Sequence, residues 1–247
     1  LAHDIRTPLT GAYGYLQLAL ECSDTATREH YLLTAGRRLG DLEDMLEKLF
    51  LYTKLTNEDF LFSPETLKPI QVLPLLSDCL LSLYTHFEQR GISPDINFAS
   101  ESFRVPADEE ALRRIFLNLL QNALLHGAGD LTILQHSPAS SPQSLNASAK
   151  DTPSFPAQNT SRWSGCLSFE NLVPQDVSIR PEQLFDLFYK ADPARRKGSS
   201  GLGLFIVKEL MHRMGGEAAA QLDGQRLRIL LYFPSPAETS TSKPPVS

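Results

Sequence analysis

The chain has 247 residues, of which 42% are hydrophobic and 21% are charged, a balance typical of a globular protein with one or two domains. Its net charge of -6 argues against a nucleic-acid partner, which would usually be bound by a basic stripe. The widely spaced Cys22, Cys79 and Cys166 exclude a disulfide framework or a zinc ribbon, and no apolar run approaches the about 18 residues that span a bilayer.

The chain begins inside a helical pattern and without a starting Met. We therefore expect a fragment of a longer chain. Its widely spaced cysteines fit the reducing cytoplasm, and its short apolar runs predict no membrane contact within the fragment. Any further segment or membrane anchor of the full-length protein would lie upstream of this fragment.

Apolar periodicity predicts that residues 1–56 form a helical hairpin. Apolar residues recur at alternating steps of four and three, which is typical of a helix bundle. The two series are Ile5, Leu9, Ala12, Leu16 and Ala19, followed by Leu32, Ala35, Leu39, Leu42, Leu46 and Leu49. Ser23 and Thr25 are the expected capping residues between them. Because two helices cannot bury both sides of their seams, we expect the hairpin to dimerise into a four-helix bundle. Packing of the hairpin against the rest of its own chain is the alternative.

The remainder of the chain is predicted to form an α/β two-layer sandwich over residues 64–233, because strands and helices are mixed there. The predicted strands are 66–72, 92–98, 102–105, 130–135, 166–170, 217–222 and 226–232, and the predicted helices are 74–90, 108–126, 181–188 and 201–214. Asp108 is the expected N-cap of the second of these helices. Residues 136–165 are rich in Ser, Pro and Asn and are predicted to be a disordered insertion, and residues 234–247 a disordered tail.

Four residues near the N-terminus predict a reactive imidazole. On a helix, Thr7 lies one turn after His3 on the same face. The adjacent Asp4 can hold or remove one imidazole proton and so leave the other ring nitrogen nucleophilic. Pro8 removes a backbone hydrogen bond and bends the helix. A lone His at this place would usually be a surface or packing residue, but this combination favours chemistry.

Two later segments predict a nucleotide site. Asn118 and Asn122 lie on one face of a helix, and an amide oxygen can ligate a Mg²⁺ ion that keeps its waters and binds phosphate oxygens. Local capping by the two amides is the alternative. Glycines at 198, 201 and 203 precede an amphipathic helix, where backbone N–H groups can approach phosphates. The basic run 195–197 either faces those phosphates or is a solvated charge run.

Taken in order, these segments resemble the sensor histidine kinases. Residues 3–10 resemble the H-box of that family, 112–123 its N-box, 184–192 its F-box and 198–210 its second glycine box. The resemblance covers residues 1–233 apart from the insertion. It implies a homodimer that uses ATP and Mg²⁺ to phosphorylate His3 and passes the phosphoryl group to an aspartate of a response-regulator receiver domain.

The resemblance also implies roles for individual residues. Asp4 would be the general base for His3, and Thr7 would position water during dephosphorylation of the partner. Asn122 would hold the magnesium. The residues expected to contact ATP are Asn118, Asn122, Asn171, Tyr189, Lys190, Gly198, Gly201, Leu202 and Gly203.

The chain departs from the family pattern at two places. Leu125 stands where the family commonly has a Lys, and no glycine lies between residues 166 and 197, so the first glycine box is degenerate. Counting back from Phe185 places Asn171 at the adenine-reading position, and Asp176 is the alternative. These departures keep open a degenerate kinase that acts as a dimeric docking module or a response-regulator phosphatase. The related ATPases of chaperones and topoisomerases would not explain the H-box.

Overall fold

The computed structural model describes residues 2–55, 67–137, 162–189, 191 and 201–235. Within the first two helices, the side chains of residues 2–4, 44, 47, 48, 51, 52, 54 and 55 are outside the description. Most of the predicted insertion and of the predicted tail therefore lies outside the described residues. Among the residues that are described, no helix has the length and apolarity needed to cross a bilayer.

The N-terminal part is the predicted hairpin of two helices, α1 (Ala2–Glu21) and α2 (Thr25–Leu55), which pack against each other. Helix α1 contains Pro8 within its first turns. The cap of α2 differs from the prediction, because Asp24 rather than Ser23 or Thr25 occupies it. Its carboxylate accepts hydrogen bonds from the Thr27 hydroxyl at 2.6 Å and the Thr27 N–H at 2.8 Å. These two bonds lower the pKa of Asp24 below its usual value.

The small residues of the heptad pattern form the contact within the hairpin. Ala12, Ala19 and Ala35 are buried, which allows the two helices to approach closely. Five of the eight large residues of the same pattern remain between 38% and 50% exposed; these are Leu9, Leu16, Leu32, Leu39 and Leu46. A single chain therefore leaves an apolar face of the hairpin in contact with solvent, as the predicted dimerisation requires.

The rest of the chain is an α/β domain with a five-stranded sheet in the order β2-β4-β5-β7-β6. The strands are β1 (Lys68–Gln71), β2 (Asp95–Asn97), β3 (Arg104–Ala107), β4 (Thr132–His136), β5 (Trp163–Leu172), β6 (Glu217–Asp223) and β7 (Arg226–Pro234). The helices are α3 (Val72–Ser82), α4 (Tyr84–Gln89), α5 (Glu109–His126) and α6 (Gly203–Arg213). Strands β2 and β4 are parallel, the other sheet neighbours are antiparallel, and β1 pairs with β3 in a separate small sheet.

The core lies between the helices and one face of the five-stranded sheet. Helix α5 contacts both α3 and α6 and buries one complete face, including Ile115, Phe116 and Leu120. The ring of Phe116 lies 6.1 Å from that of Phe169 on the central strand β5. At the start of α5, Asp108 accepts the Ala111 N–H at 2.8 Å, which confirms the predicted N-cap.

Several elements differ from the sequence prediction. The predicted helix 74–90 is two helices, separated at Leu83, whose backbone is not helical. The predicted helix 181–188 is only a 3-10 turn at Pro181–Gln183. Strand β4 continues to His136 and β5 starts at Trp163, so the predicted insertion 136–165 is too wide at both ends; pairing of His136 with Cys166 extends the sheet there. Strand β7 includes Pro234 of the predicted tail.

The opposite face of the sheet carries a buried polar network that links β4, β5 and β7. The His136 Nε2 atom lies 3.0 Å from the Ser168 hydroxyl, and that hydroxyl donates to Glu170 at 3.1 Å. Arg228 donates from Nε to the other oxygen of Glu170 at 3.2 Å. Burial lowers the pKa of His136, and this effect outweighs the opposing attraction of Glu170.

This network predicts a pH-dependent contribution to stability. The pKa of His136 in the folded chain lies below 6.5, the usual value of a histidine side chain, so the unfolded chain takes up the proton first as the pH falls. The stability that neutral His136 provides is therefore fully present above about pH 6.5 and is lost as the pH falls below it. Lowering the pH from about 7.5 to about 5.5 should reduce the free energy of unfolding less in His136→Gln than in the unsubstituted chain. Urea unfolding of both proteins at the two pH values measures this. Identical pH profiles of the two proteins would contradict this assignment.

Candidate active site

The two predicted amides lie on helix α5 next to the start of α6. Both side chains are half-buried. The Asn118 Nδ2 atom donates to the carbonyl of Arg114 at 2.8 Å, which leaves its Oδ1 atom for other contacts. A Cβ atom added at Gly203 would lie only 3.0 Å from that Oδ1 atom. A glycine at the first residue of α6 therefore allows this helix to approach the amide face of α5 closely.

Asn122 is one helical turn further along the same face. In the described part of the chain, no hydrogen bond is formed by its side-chain amide, so both of its polar atoms are available to a ligand. Nor do the described residues contain a cluster of three or more His, Cys, Asp or Glu side chains that could enclose a metal. The arrangement fits a magnesium ion that takes one amide oxygen from the protein and its other ligands from water and phosphate.

The glycine segment before α6 is held by close backbone contacts. Gly201 has φ +68°, and its carbonyl accepts the Phe188 N–H at 3.0 Å. A Cβ atom at this position would lie 2.8 Å from the Phe188 backbone and 2.9 Å from the Tyr189 carbonyl oxygen. Phe188 itself has φ +63°, a strained conformation for an aromatic residue. The geometry therefore requires glycine at 201 for conformation and for space.

Leu202 and Tyr189, two other predicted ligand contacts, take part in packing and in hydrogen bonding within the fold. Leu202 is completely buried, so only its backbone is available to a nucleotide. The Tyr189 hydroxyl accepts the Arg180 N–H at 3.1 Å and thereby joins this segment to the preceding loop. Lys190 and Gly198 lie outside the described residues, and their predicted roles stay predictions.

Asn171 lies near the end of β5 and is 5% exposed. Its Nδ2 atom donates to the carbonyl of Leu172 at 3.0 Å. A Cβ atom at Gly127, which follows α5, would lie 3.4 Å from the same Nδ2 atom. Asn171 is thus beside the end of the helix that carries the amide pair, whereas Asp176 lies in an exposed turn after the strand. Of the two predicted adenine readers, Asn171 is therefore the one beside the helix that carries the amide pair, and the choice between them stays a prediction.

Asp130, in the α5–β4 connection, is a further polar residue beside Asn171 that the sequence pattern does not predict. Its carboxylate accepts the Leu172 N–H at 2.5 Å and contacts Arg226 at 3.4 Å. A polar residue after Gly127-Ala128-Gly129 looks like an ordinary turn residue. Its hydrogen bond joins positions 42 apart in sequence, and no local signal predicts such a pair.

The predicted phosphoacceptor and its neighbours lie in the first turns of α1. His3 and Asp4 are helical, and their side chains are outside the description. Thr7 follows one turn later and is exposed. The helical spacing expected for the three residues is therefore present, and their chemical roles stay predictions.

Comparison with known proteins assigns a family to each part of the chain. The His Kinase A (phospho-acceptor) domain matches residues 1–58, and the histidine kinase-, DNA gyrase B- and HSP90-like ATPase matches residues 107–237. The chain is 27% identical to the sensor protein VanSC of Enterococcus gallinarum over 241 residues, which cover 96% of this chain and 60% of that protein. It spans 44% to 60% of the length of the first curated relatives that it matches.

Two solved structures share the fold. Histidine kinase ThkA in complex with the response regulator protein TrrA superposes with a TM-score of 0.68 at 18% identity, covering 96% of this chain and 60% of that one. Full-length ShkA in complex with AMPPNP superposes with a TM-score of 0.61 at 23% identity, covering 95% of this chain and 45% of that one. The chain belongs to the sensor histidine kinases, as a phosphoacceptor helical hairpin followed by an ATP-binding α/β domain.

The contacts of Gly201 generate a prediction with a matched control. Gly91 has almost the same backbone angle, φ +65°, but no atom within 4 Å of an added Cβ. Gly91→Ala should therefore cost only the conformational term of about 1 kcal/mol. Gly201→Ala carries the same term and a steric clash with Phe188, so it should destabilise the chain more and weaken nucleotide binding. Chemical unfolding and ATP titration of both variants measure this, and equal effects would contradict the close approach.

Proposed function

We propose that this chain is the dimeric core of a kinase that transfers the γ-phosphoryl group of ATP to His3 and then to a response-regulator aspartate. Residues 1–56 are the phosphoacceptor hairpin, and residues 64–233 are the ATP-binding domain. One observation carries the proposal: the amide face of α5 and the glycine start of α6 meet beside Asn118 in a chain of this family.

The nucleotide lies between these two helices in the proposal. The backbone N–H groups around Gly201 and Gly203 face the phosphates, where the N-terminus of α6 favours negative charge. The Asn122 amide oxygen holds the magnesium, with Asn118 beside it. When bound, magnesium neutralises charge on the phosphates. The AMPPNP bound to ShkA supports a nucleotide of this class.

The protein's own contribution to phosphoryl transfer is positioning and proton control. Asp4 accepts a hydrogen bond from one imidazole N–H of His3 and orients the other nitrogen toward the γ-phosphorus. As the new nitrogen–phosphorus bond forms, the bond between the γ-phosphorus and the β–γ bridging oxygen would break and ADP would leave. The Asp4 carboxylate would stabilise the positive charge that develops on the ring and accept its N–H proton. Thr7 lies on the same side of α1 and positions the water that hydrolyses the phosphorylated partner.

Two partners are proposed: a second copy of this chain and the receiver domain of a response regulator. The exposed leucines of α1 and α2 provide an apolar face for a second copy of the chain in a four-helix bundle. The complex of ThkA with TrrA supports a receiver domain as the protein that receives the phosphoryl group.

One observation favours the second candidate function, a degenerate kinase that acts as a docking module or phosphatase with weak ATP binding. Leu125 is 44% exposed on the face of α5 that carries Asn122, one turn further on. An exposed apolar side chain there provides no charge for a phosphate. Weak ATP binding that improves in Leu125→Lys would support this candidate.

The phosphoacceptor assignment predicts the result of one substitution. His3→Gln should abolish labelling from γ-labelled ATP while ATP affinity remains unchanged, because the nucleophile is removed and the ATP-binding domain is not. The label on the unsubstituted chain should be labile in acid and stable in base. His30→Gln is the matched control, since His30 is an exposed histidine on the other helix of the hairpin. Label that persists on His3→Gln would show that another residue is the acceptor.

The magnesium ligand predicts a loss of binding. Asn122→Ala should weaken magnesium-dependent ATP binding at least about tenfold, because a contact to a charged group is worth ~1.5–3 kcal/mol. Gln121→Ala is the control, since it removes a neighbouring exposed amide of the same helix. Titration calorimetry with and without magnesium measures both variants. Equal affinities of the two variants for Mg·ATP would exclude Asn122 from the site.

A further inference from the structure

The end of strand β5 is fixed by the connection between α5 and β4. The Leu172 N–H donates to Asp130 Oδ1 at 2.5 Å. The Leu172 carbonyl accepts the Ala128 N–H at 2.7 Å and the Asn171 Nδ2 atom at 3.0 Å. Both polar groups of the Leu172 backbone are therefore held by this connection or by the side chain of Asn171.

The Asp130 carboxylate accepts a backbone N–H of β5 just beyond the last backbone pair of β4 and β5. Strands β4 and β5 are paired up to Thr132 and Glu170, so Asp130 and Leu172 are opposite each other two residues further on. The carboxylate accepts the N–H that a strand carbonyl would otherwise accept, and a charged acceptor makes this bond stronger. On the other side, Arg226 of β7 pairs in register with Leu172 and contacts Asp130 Oδ2 at 3.4 Å.

The ion pair itself contributes little to global stability. The side chains of Asp130 and Arg226 are 31% and 37% exposed, and pairs of this kind are usually worth less than about 1 kcal/mol. Removal of Asp130 should therefore leave the domain folded. The effect should be local, on the position of the Leu172 backbone and of the side chain bonded to it.

The Leu172 carbonyl in turn determines which atom Asn171 can present to a ligand. Because Nδ2 donates to that carbonyl, the orientation of the amide is fixed with Oδ1 on the side away from Leu172, and within the described part of the chain Oδ1 makes no hydrogen bond. An Oδ1 acceptor matches the amino group at position 6 of adenine and opposes the oxygen at position 6 of guanine. If the carbonyl moves, the amide can rotate and present Nδ2, which matches guanine instead.

We propose that Asp130 is a positioning residue for nucleotide selection: by fixing the Leu172 backbone, it holds Asn171 as an acceptor and selects 6-amino over 6-oxo purine nucleotides. This inference rests on the proposed function and on the further proposal, implied by the family resemblance, that Asn171 reads the base. Loss of Asp130 should lower the affinity for ATP and raise the affinity for GTP. General damage to the site would lower both affinities, so the two causes are distinguishable.

The experiment measures the affinities of the full chain for non-hydrolysable analogues of ATP and GTP. Asp130→Ala should reduce the ATP-to-GTP affinity ratio about tenfold, mostly through tighter GTP binding. Asp130→Asn should retain most of the ratio, because its amide oxygen still accepts the Leu172 N–H. Asp78→Ala, which removes an exposed carboxylate of α3, should leave the ratio unchanged.

Asn171→Ala completes the test. It should also reduce the ratio, and Asp130→Ala should have no further effect in its background. A ratio that falls in Asn171→Ala and not in Asp130→Ala would overturn the inference alone. An ATP-to-GTP affinity ratio that is unchanged in Asn171→Ala would overturn two claims: that Asn171 reads the base and that Asp130 positions it. Absence of ATP binding and of histidine labelling in the unsubstituted chain would instead overturn the proposed function and, with it, this inference.

Discussion

Burial of one face of α5 against the sheet is the constraint on which the candidate site depends. The helix packs Ile115, Phe116 and Leu120 into the core, and Phe116 contacts Phe169 of the central strand. Rotation of the helix would expose these side chains at a cost of roughly 1.5–3 kcal/mol each. The helix face that carries Asn118 and Asn122 is therefore held in one direction, with Asn118 next to the start of α6. Apolar packing sets the direction of this face, and the hydrogen bond to the Arg114 carbonyl orients the Asn118 amide within it.

Strand β5 has a different environment on each of its two faces: the helices lie on one face and the polar network on the other. Its residues alternate between the faces of the sheet, so Phe169 and Asn171 point toward the helices while Ser168 and Glu170 join the polar network behind them. Asn171 is the residue at which this central strand reaches the end of α5. A register shift by one residue would exchange the two faces, placing Glu170 in the core and Asn171 in the polar network. The long pairing of β5 with β7 opposes such a shift.

The sequence predicts those features that are determined by local pattern. The hairpin, the N-cap at Asp108 and the α/β domain follow from periodicity and capping chemistry. The break at Leu83 and the short turn at Pro181–Gln183 were not predicted, because tertiary packing overrides helical patterns of that length. The amide pair on α5 also follows from spacing. By contrast, the approach of Gly203 to Asn118 joins residues 85 positions apart, and only the folded chain brings them together.

The second, small apolar cluster on the outer face of the sheet has a practical consequence. It contains Trp163, which is the single tryptophan of the chain, buried 5.8 Å from the ring of Tyr232 and 4.8 Å from the Arg162 guanidinium carbon. Intrinsic indole emission therefore reports on the sheet alone, whereas far-ultraviolet circular dichroism reports on the helices of both parts, and about half of the described α-helical residues lie in α1 and α2. Followed together during denaturation, the two signals separate the loss of the hairpin from the loss of the ATP-binding domain.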